Sequence, residues 1–223
     1  PRGKRLEEIN RSEKPSSRLF KDPHQLDREM RIRDRWSKQG RAPSLEDNAV
    51  ALAYVCWQVA LSSTKNLHEQ AFDYRHDQQR VAVIQEYLAF LVHSCDRLAS
   101  ESMTSGERKV FLDRLAGECA RHLQRNTEDV LGPGNYSSPF IDIINARNRV
   151  YAQCTFERGE PGYALLRAFG DQIQQLMGQD QTNRWVIDQV IDIDSQESFA
   201  QIKRSMQNIL DTATRTNQTP NST

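Results

Sequence analysis

The sequence predicts an all-α protein, a bundle of about six to seven mostly antiparallel helices with a basic N-terminal arm and a disordered C-terminal tail. Three observations predict it. Apolar residues recur at spacings of three and four through most of residues 44–211, the mark of one buried face per helix. Capping residues, glycines and prolines punctuate these stretches, and such residues start and stop helices. No set of alternating apolar segments supplies partner strands, so no sheet is expected.

Residues 1–43 read as a polar, basic arm, broken by Pro15 and Pro23. Within it, residues 27–36 suit one short basic helix, on which Leu26, Met30 and Trp36 give a thin apolar stripe. The first long helix starts at Ser44, where Ser44 and Asp47 resemble a capping box with Asp in place of Glu or Gln. Val50, Tyr54, Trp57 and Leu61, with Ala53, Cys56 and Ala60 beside them, form one broad face. The small residues Ala49, Ala53 and Ala60 let a neighbouring helix approach closely. The second helix runs from about Tyr74 to Ser100. On it, Val81, Ile84, Leu88, Leu91, Cys95 and Leu98 form the strongest periodic stripe in the chain, and Phe90 and Val92 widen it, so the helix is central.

Thr104 and Glu107 make a T-x-x-E capping box for a third helix, with Val110, Phe111, Leu115, Cys119 and His122 on one side and Glu118 interrupting it. Residues 131–138 are a loop by composition. Ser138 before Pro139 reads as an N-cap with proline in the first turn. Phe140, Ile143, Ile144, Val150, Tyr151 and Cys154 mark the fourth helix. A fifth, with Tyr163, Leu166, Phe169, Ile173, Leu176 and Met177, ends at Gly178. Residues 185–194 are rich in β-branched side chains but have no partner strand, so they are assigned to a helix. Ser195 then caps a last helix carrying Phe199, Ile202, Met206, Ile209 and Leu210. This places one helical domain at 44–211 and a disordered tail at 212–223.

Net charge is zero, yet it is segregated. The arm carries 13 Lys and Arg against 7 Asp and Glu, and residues 44–223 carry 17 against 23. A basic arm on an acidic body points either to a solvated tail or to an anionic partner, which is nucleic acid, a lipid surface or the body's own acidic face. Arg28, Arg31, Arg33, Arg35, Lys38 and Arg41 would track phosphates, with Trp36 available to stack on a base. Acidic residues interleave them, and the body shows no recognition-helix signature.

Cys56, Cys95, Cys119 and Cys154 each fall in a helical stretch, without C-x-x-C spacing. They read as reduced thiols behaving as small hydrophobes, which favours a cytoplasmic location. No apolar run approaches the roughly eighteen residues of a membrane span, and no signal-peptide pattern is present. The sequence begins at Pro1 rather than Met, which suggests a processed product with room for an upstream anchor or domain.

No motif names a chemistry. There is no phosphate-binding glycine loop, no G-x-S-x-G, no H-E-x-x-H and no E-x-x-H pair, and the D-I-D-S-Q-E stretch at 192–197 lacks the glycine and the glutamate spacing of a calcium loop. The nearest metal-like constellation is Glu118 and His122, four apart on the third helix, facing Glu86 and His93, seven apart on the second. Ordinary intrahelical pairing explains that spacing equally. Charged residues Glu86, His93, Asp96 and Arg97 interrupt the most apolar helix, and Asn145, Arg147 and Asn148 interrupt the fourth. A guanidinium stays ionised, so Arg147 must meet a carboxylate, carbonyls or water. Either Glu86 or Asp96 pairs with Arg147 in a structural network, or Arg97 and Arg147 line a pocket for an anionic ligand. The functional expectation is a helical interaction, scaffold or adaptor protein that binds a protein partner or itself and needs no cofactor. The alternatives are a ligand binder or enzyme with a polar interhelical pocket, and an anion-binding arm.

Overall fold

The computed structural model describes residues 43–178 and 186–217, with side chains described as far as Ile209. The arm residues Arg28, Arg31, Arg33, Arg35, Trp36, Lys38 and Arg41, the short helix expected at 27–36, Trp185 and residues 218–223 lie outside the described residues. The protein is an all-α bundle. Its elements are α1 (Leu45–Glu69), α2 (Asp77–Ala99), α3 (Ser105–Leu131), α4 (Ser137–Tyr151), a hairpin of β1 (Phe156–Glu157) and β2 (Glu160–Pro161), α5 (Tyr163–Met177), the short α6 (Val186–Gln189), a π-helical turn (Val190–Asp194) and α7 (Ser195–Asn217).

The expected capping boxes form. Ser44 Oγ accepts from the Asp47 amide at 3.1 Å while the Asp47 carboxylate accepts from the Ser44 amide at 2.9 Å. Thr104 and Glu107 make the same reciprocal pair at the start of α3. α1 packs most extensively along α3, where Ala49, Ala53, Ala60 and Cys56 are fully buried against Leu115, Cys119 and Leu123. Small side chains there permit the close approach that the alanine spacing predicts. α2 is the hub, in contact with α1, α3, α4, α5 and α7. That central place explains why Val83, Ile84, Tyr87, Leu88, Phe90 and Leu91 are all wholly buried rather than one stripe alone. Phe169 of α5 stacks on Phe90 at 4.5 Å and takes the edge of Tyr87 at 5.1 Å, the offset and edge-on geometries aromatic rings prefer. Trp57, Leu88, Leu91, Cys95, Leu115, Ile144 and Phe169, the core predicted from the sequence, are all buried.

Several local expectations are corrected. α2 starts at Asp77 instead of Tyr74, because the His76 imidazole acts as N-cap, Nδ1 accepting from the Gln79 amide at 3.1 Å. Tyr74 stays in the connection, its hydroxyl donating to the Thr64 carbonyl at 2.8 Å. Ser138 is not the N-cap of α4, which begins at Ser137. Its free amides are satisfied from elsewhere: Gln124 Oε1, on α3, accepts from Tyr136 N at 2.7 Å and Ser137 N at 2.8 Å, and Asn135 Oδ1 accepts from Ser138 N. A cap supplied by a neighbouring helix replaces the local one. Val110, Val150, Tyr163 and Ile193, assigned to or beside apolar stripes, are about half exposed or more (Val110 46%, Tyr163 67%). Val150 and Tyr163 lie at or next to the end of their helices, Val110 lies in the second turn of α3, and Ile193 lies in the π-helical turn.

The absence of a sheet is also corrected, on a small scale. Arg158 and Gly159 both take positive φ, 56° and 70°, the geometry of a tight hairpin turn. Phe156 anchors this hairpin edge-on against Phe199 at 5.7 Å, and Lys203 ties it to α7 through the Gly159 carbonyl at 2.9 Å and the Glu160 carboxylate. Residues 186–194 are helical as expected, but half of the stretch is π-helical. Ser195 therefore is no N-cap: the helix runs through it, and its hydroxyl donates back to the Ile191 carbonyl at 3.0 Å. The expected tail start at Thr212 is overrun, since α7 continues to Asn217. No glycine or proline interrupts that stretch before Pro220, so nothing in it breaks a helix already docked upstream.

Candidate functional site

The polar residues that interrupt the apolar helices converge where α2 meets α3 and α4. Glu86 and His93 lie seven apart on α2, hence on one face, and Arg147 and Tyr151 lie four apart on α4. Arg147 grips Glu86 with two parallel hydrogen bonds, Nε to Oε2 and Nη2 to Oε1, both 2.6 Å. Such a fork-to-fork pair is the strongest protein ion-pair geometry. The Glu86 side chain is 5% exposed and that of Arg147 is 23% exposed, so the acid is sealed while the guanidinium reaches the surface. Hydrogen bonding to Glu86 holds the Arg147 pKa above its usual value.

Tyr151 lies beside this pair. It is buried, and its phenol oxygen has no hydrogen-bond partner among the described residues. Burial, reinforced by the charge of Glu86, pushes its ionisation up, so the ring stays a neutral phenol. The Tyr151 ring meets His93 edge-on at 5.4 Å. His93 is buried and its Nδ1 donates to Asn148 Oδ1 at 3.2 Å. Desolvation pushes the imidazole below its usual range despite that hydrogen bond and the nearby Asp96, so it is neutral at pH 7.

Asp96 does not reach Arg147. It pairs with Arg108 in the first turns of α3, again with two bonds, 2.6 and 2.7 Å. Arg97 turns away and lies over the Phe156 ring at 5.7 Å, a cation–π contact that holds the hairpin. The predicted pairing of Arg97 with Arg147 around one anion is therefore not built. Glu118 lies between Arg114, at 2.8 Å, and Arg121, both on its own helix. His122 packs its ring against Trp57 and Tyr54, with centroids 6.1 and 6.0 Å away. Glu118 and His122 thus face different neighbours from Glu86 and His93. Among the described residues no three His, Cys, Asp or Glu side chains gather in a way that could hold a metal ion. Each of the four has an arginine or an aromatic ring as its neighbour instead: Glu86 has Arg147, His93 has Tyr151, Glu118 has Arg114 and Arg121, and His122 has Trp57.

Two further polar groups escaped sequence reasoning. Arg108 is the partner of Asp96 because the short connection after α2 folds α3 back alongside it, a consequence of topology with no local signal. Asp194, Tyr87 and Gln189 form a second buried polar cluster on the far side of α2: Tyr87 Oη donates to Asp194 Oδ2 at 3.0 Å and Gln189 Nε2 donates to Oδ1 at 3.1 Å. Cys56, Cys95 and Cys119 are buried free thiols, Cys56 within hydrogen-bonding contact of both others, and Cys154 is partly exposed. Contact with Cys56, then burial, pushes the Cys119 thiol well above its usual range; for Cys56 the contact with Cys119 acts downward, but contact with Cys95 and burial outweigh it and leave that thiol raised as well, which suppresses thiolate formation. No helix among the described residues is long and apolar enough to cross a membrane. No protein-family model matches the chain, and no curated protein or solved structure matches it.

Proposed function

We propose that the chain is a non-catalytic, cytoplasmic helical scaffold or interaction protein that acts through a protein partner or a second copy of itself. One observation carries this reading: the charged groups that would have lined a ligand pocket are used up on one another. Glu86 is matched by Arg147, Asp96 by Arg108, and Glu118 by Arg114 and Arg121. A catalytic or anion-binding site keeps at least one such group directed at a cavity, with its ionisation tuned for the task. Here burial makes His93 a neutral, hydrogen-bonded core residue. The unbridged cysteines support a reducing compartment.

The test compares two kinds of binding. Thermal melting of the full chain with inorganic phosphate, citrate, Zn²⁺ or Mn²⁺ is expected to show no shift, whereas a ligand at about 100 times its Kd would add roughly 2.7 kcal/mol. Sedimentation velocity and melting across a wide range of protein concentration are expected to show self-association, or else a monomer awaiting a different chain. A saturable melting shift with any of these small ligands that is lost in Arg147→Met would reverse the assignment.

The charge segregation carries a second reading, contact between the basic arm and an anionic partner. It rests on the 13-against-7 excess of basic residues in 1–43. Binding to duplex DNA or to anionic vesicles that weakens steeply with salt, and vanishes when residues 1–42 are removed, is the expected outcome.

A further inference from the structure

Asp194 closes the π-helical turn. In a regular helix, residues five apart point about 140° away from each other and cannot touch. The turn at Val190–Asp194 changes that, with the Ser195 amide bonded to the Val190 carbonyl five residues back. Gln189 and Asp194, five apart, are brought face to face, and the Gln189 side chain donates to Asp194. The second donor comes from α2, the Tyr87 hydroxyl. Asp194 is 2% exposed. Its surroundings, element by element, are Tyr87 on α2, Tyr74 in the connection before α2, Gln189 on α6 and Glu197 on α7, with Arg80 of α2 acting on Tyr74. Among the described residues no cation is bonded to it. Two neutral donors therefore hold a buried charge, an arrangement costly in free energy unless the group takes up a proton. An amide at this position would keep the shape and a hydrogen bond to Tyr87 without the charge, so what the carboxyl adds is ionisation. π-turns occur frequently at functional positions.

We propose that Asp194 is a protonation latch, which clasps the layer formed by α6, the π-turn and α7 onto α2 more firmly in acid than at neutral pH. The direction follows from the geometry. Burial, the largest influence, raises the Asp194 pKa above its ordinary value, while the bonds from Gln189 and Tyr87 offset only part of the rise. When the layer lifts, water reaches the carboxyl and its ordinary value of 3.8 returns. The closed state thus binds the proton more tightly than the open one. Closure gains as pH falls from the raised value towards the ordinary one, and that gain is lost again as pH rises through the raised value. One proton limits the change to about tenfold in the opening equilibrium per pH unit. The same layer meets the core elsewhere through Ser63 Oγ and Ser198 Oγ, 2.8 Å apart, and through Ile187 and Ile191 against Gly170. Neither contact titrates near neutrality; α7 has one more titratable tie, the Lys203–Glu160 pair, but that joins it to the hairpin and not to α2, so Asp194 is the carboxyl that links this layer to α2.

Hydrogen exchange of the full chain tests the latch, with rates corrected for the intrinsic pH dependence of exchange. Protection of amides in 190–206, relative to those of α3, is expected to fall as pH rises through the window in the natural chain and to stay flat in Asp194→Asn. Carbon-13 NMR titration of the aspartate carboxyls is expected to place Asp194 above the ordinary range, and higher still in Tyr87→Phe, which removes one donor to the charged form. An Asp194 carboxyl that titrates at the ordinary value of 3.8, or a protection slope shared by the natural chain and Asp194→Asn, would overturn the proposal. Should Asp194→Asn fail to fold, the NMR midpoints of the natural chain and Tyr87→Phe decide the matter alone.

Discussion

Replacing Arg147 with methionine isolates what the Glu86 pair contributes. Methionine retains the aliphatic bulk of the arginine stem, so packing along α4 is little disturbed, while both 2.6 Å bonds disappear. Glu86 is then left with its side chain 5% exposed and without its only described cation. Breaking one side of a buried pair costs on the order of 3–5 kcal/mol, because the remaining charge loses its compensation. The 23% exposure of the Arg147 side chain lets water enter where the guanidinium was, which places the expected loss near 3 kcal/mol, the lower end of that range. Urea unfolding followed by far-ultraviolet circular dichroism measures it, with an unchanged m-value showing that the unfolded surface is the same. The double variant Glu86→Leu with Arg147→Met should recover most of the loss, since apolar replacement of a whole buried pair is often neutral or better. A single-variant loss below about 1 kcal/mol, the ceiling of a surface ion pair, would refute the view that this pair is a structural element of the α2–α4 contact.

Three further outcomes are expected. Leu91→Ala, at the fully buried centre of α2, should lower unfolding free energy by roughly 2–5 kcal/mol, and a loss under about 1 kcal/mol by urea titration would place it at the periphery. His93 has its pKa depressed by burial, so its stability contribution is present above the unfolded value of about 6.5 and lost as pH falls below it towards the folded value. Melting temperatures between pH 7.5 and 5 should therefore decline less in His93→Gln than in the natural chain, and parallel curves would remove His93 from the account. Thiol labelling without reductant should find four reactive groups in the denatured chain but rapid modification of Cys154 alone in the native one; fewer than four on denaturation would reveal a bridge.

The helices were legible because burial of one face imprints a period on the sequence, and in α2 and α5 that period survives intact from Val81 to Leu98 and from Leu166 to Met177. Capping boxes were legible for the same local reason, since both partners lie three residues apart. What could not be read depends on residues far apart in sequence. Asp96 and Arg147 both looked like candidates for one pair, and only the packing of α3 beside α2 assigns Asp96 to Arg108. Tyr151 was read as an apolar stripe residue, and its solitary hydroxyl emerges only once α4 is seated next to Glu86. The π-turn adds a residue to the helical count at Val190–Asp194, so any assignment on a period of 3.6 goes out of phase there. That shift exposes Ile193 and buries Asp194, the reverse of what their polarity predicts.

Gln124 gives the bundle a dependence that ordinary helix propensities would not reveal. Its one carboxamide closes the start of α4 through two amides and, through Nε2, holds the Gly134 carbonyl of the preceding loop at 2.6 Å. The orientation of α4 is thus set by a side chain on another helix, and α4 in turn carries Arg147, Asn148 and Tyr151 to their places against α2. A change at Gln124 would therefore be felt at Glu86, two helices away, as a shift in the angle at which Arg147 arrives. In genetic terms the two positions are epistatic: substitutions at the loop end of α3 and at the α2–α4 contact should compensate or aggravate each other although they share no atom in contact.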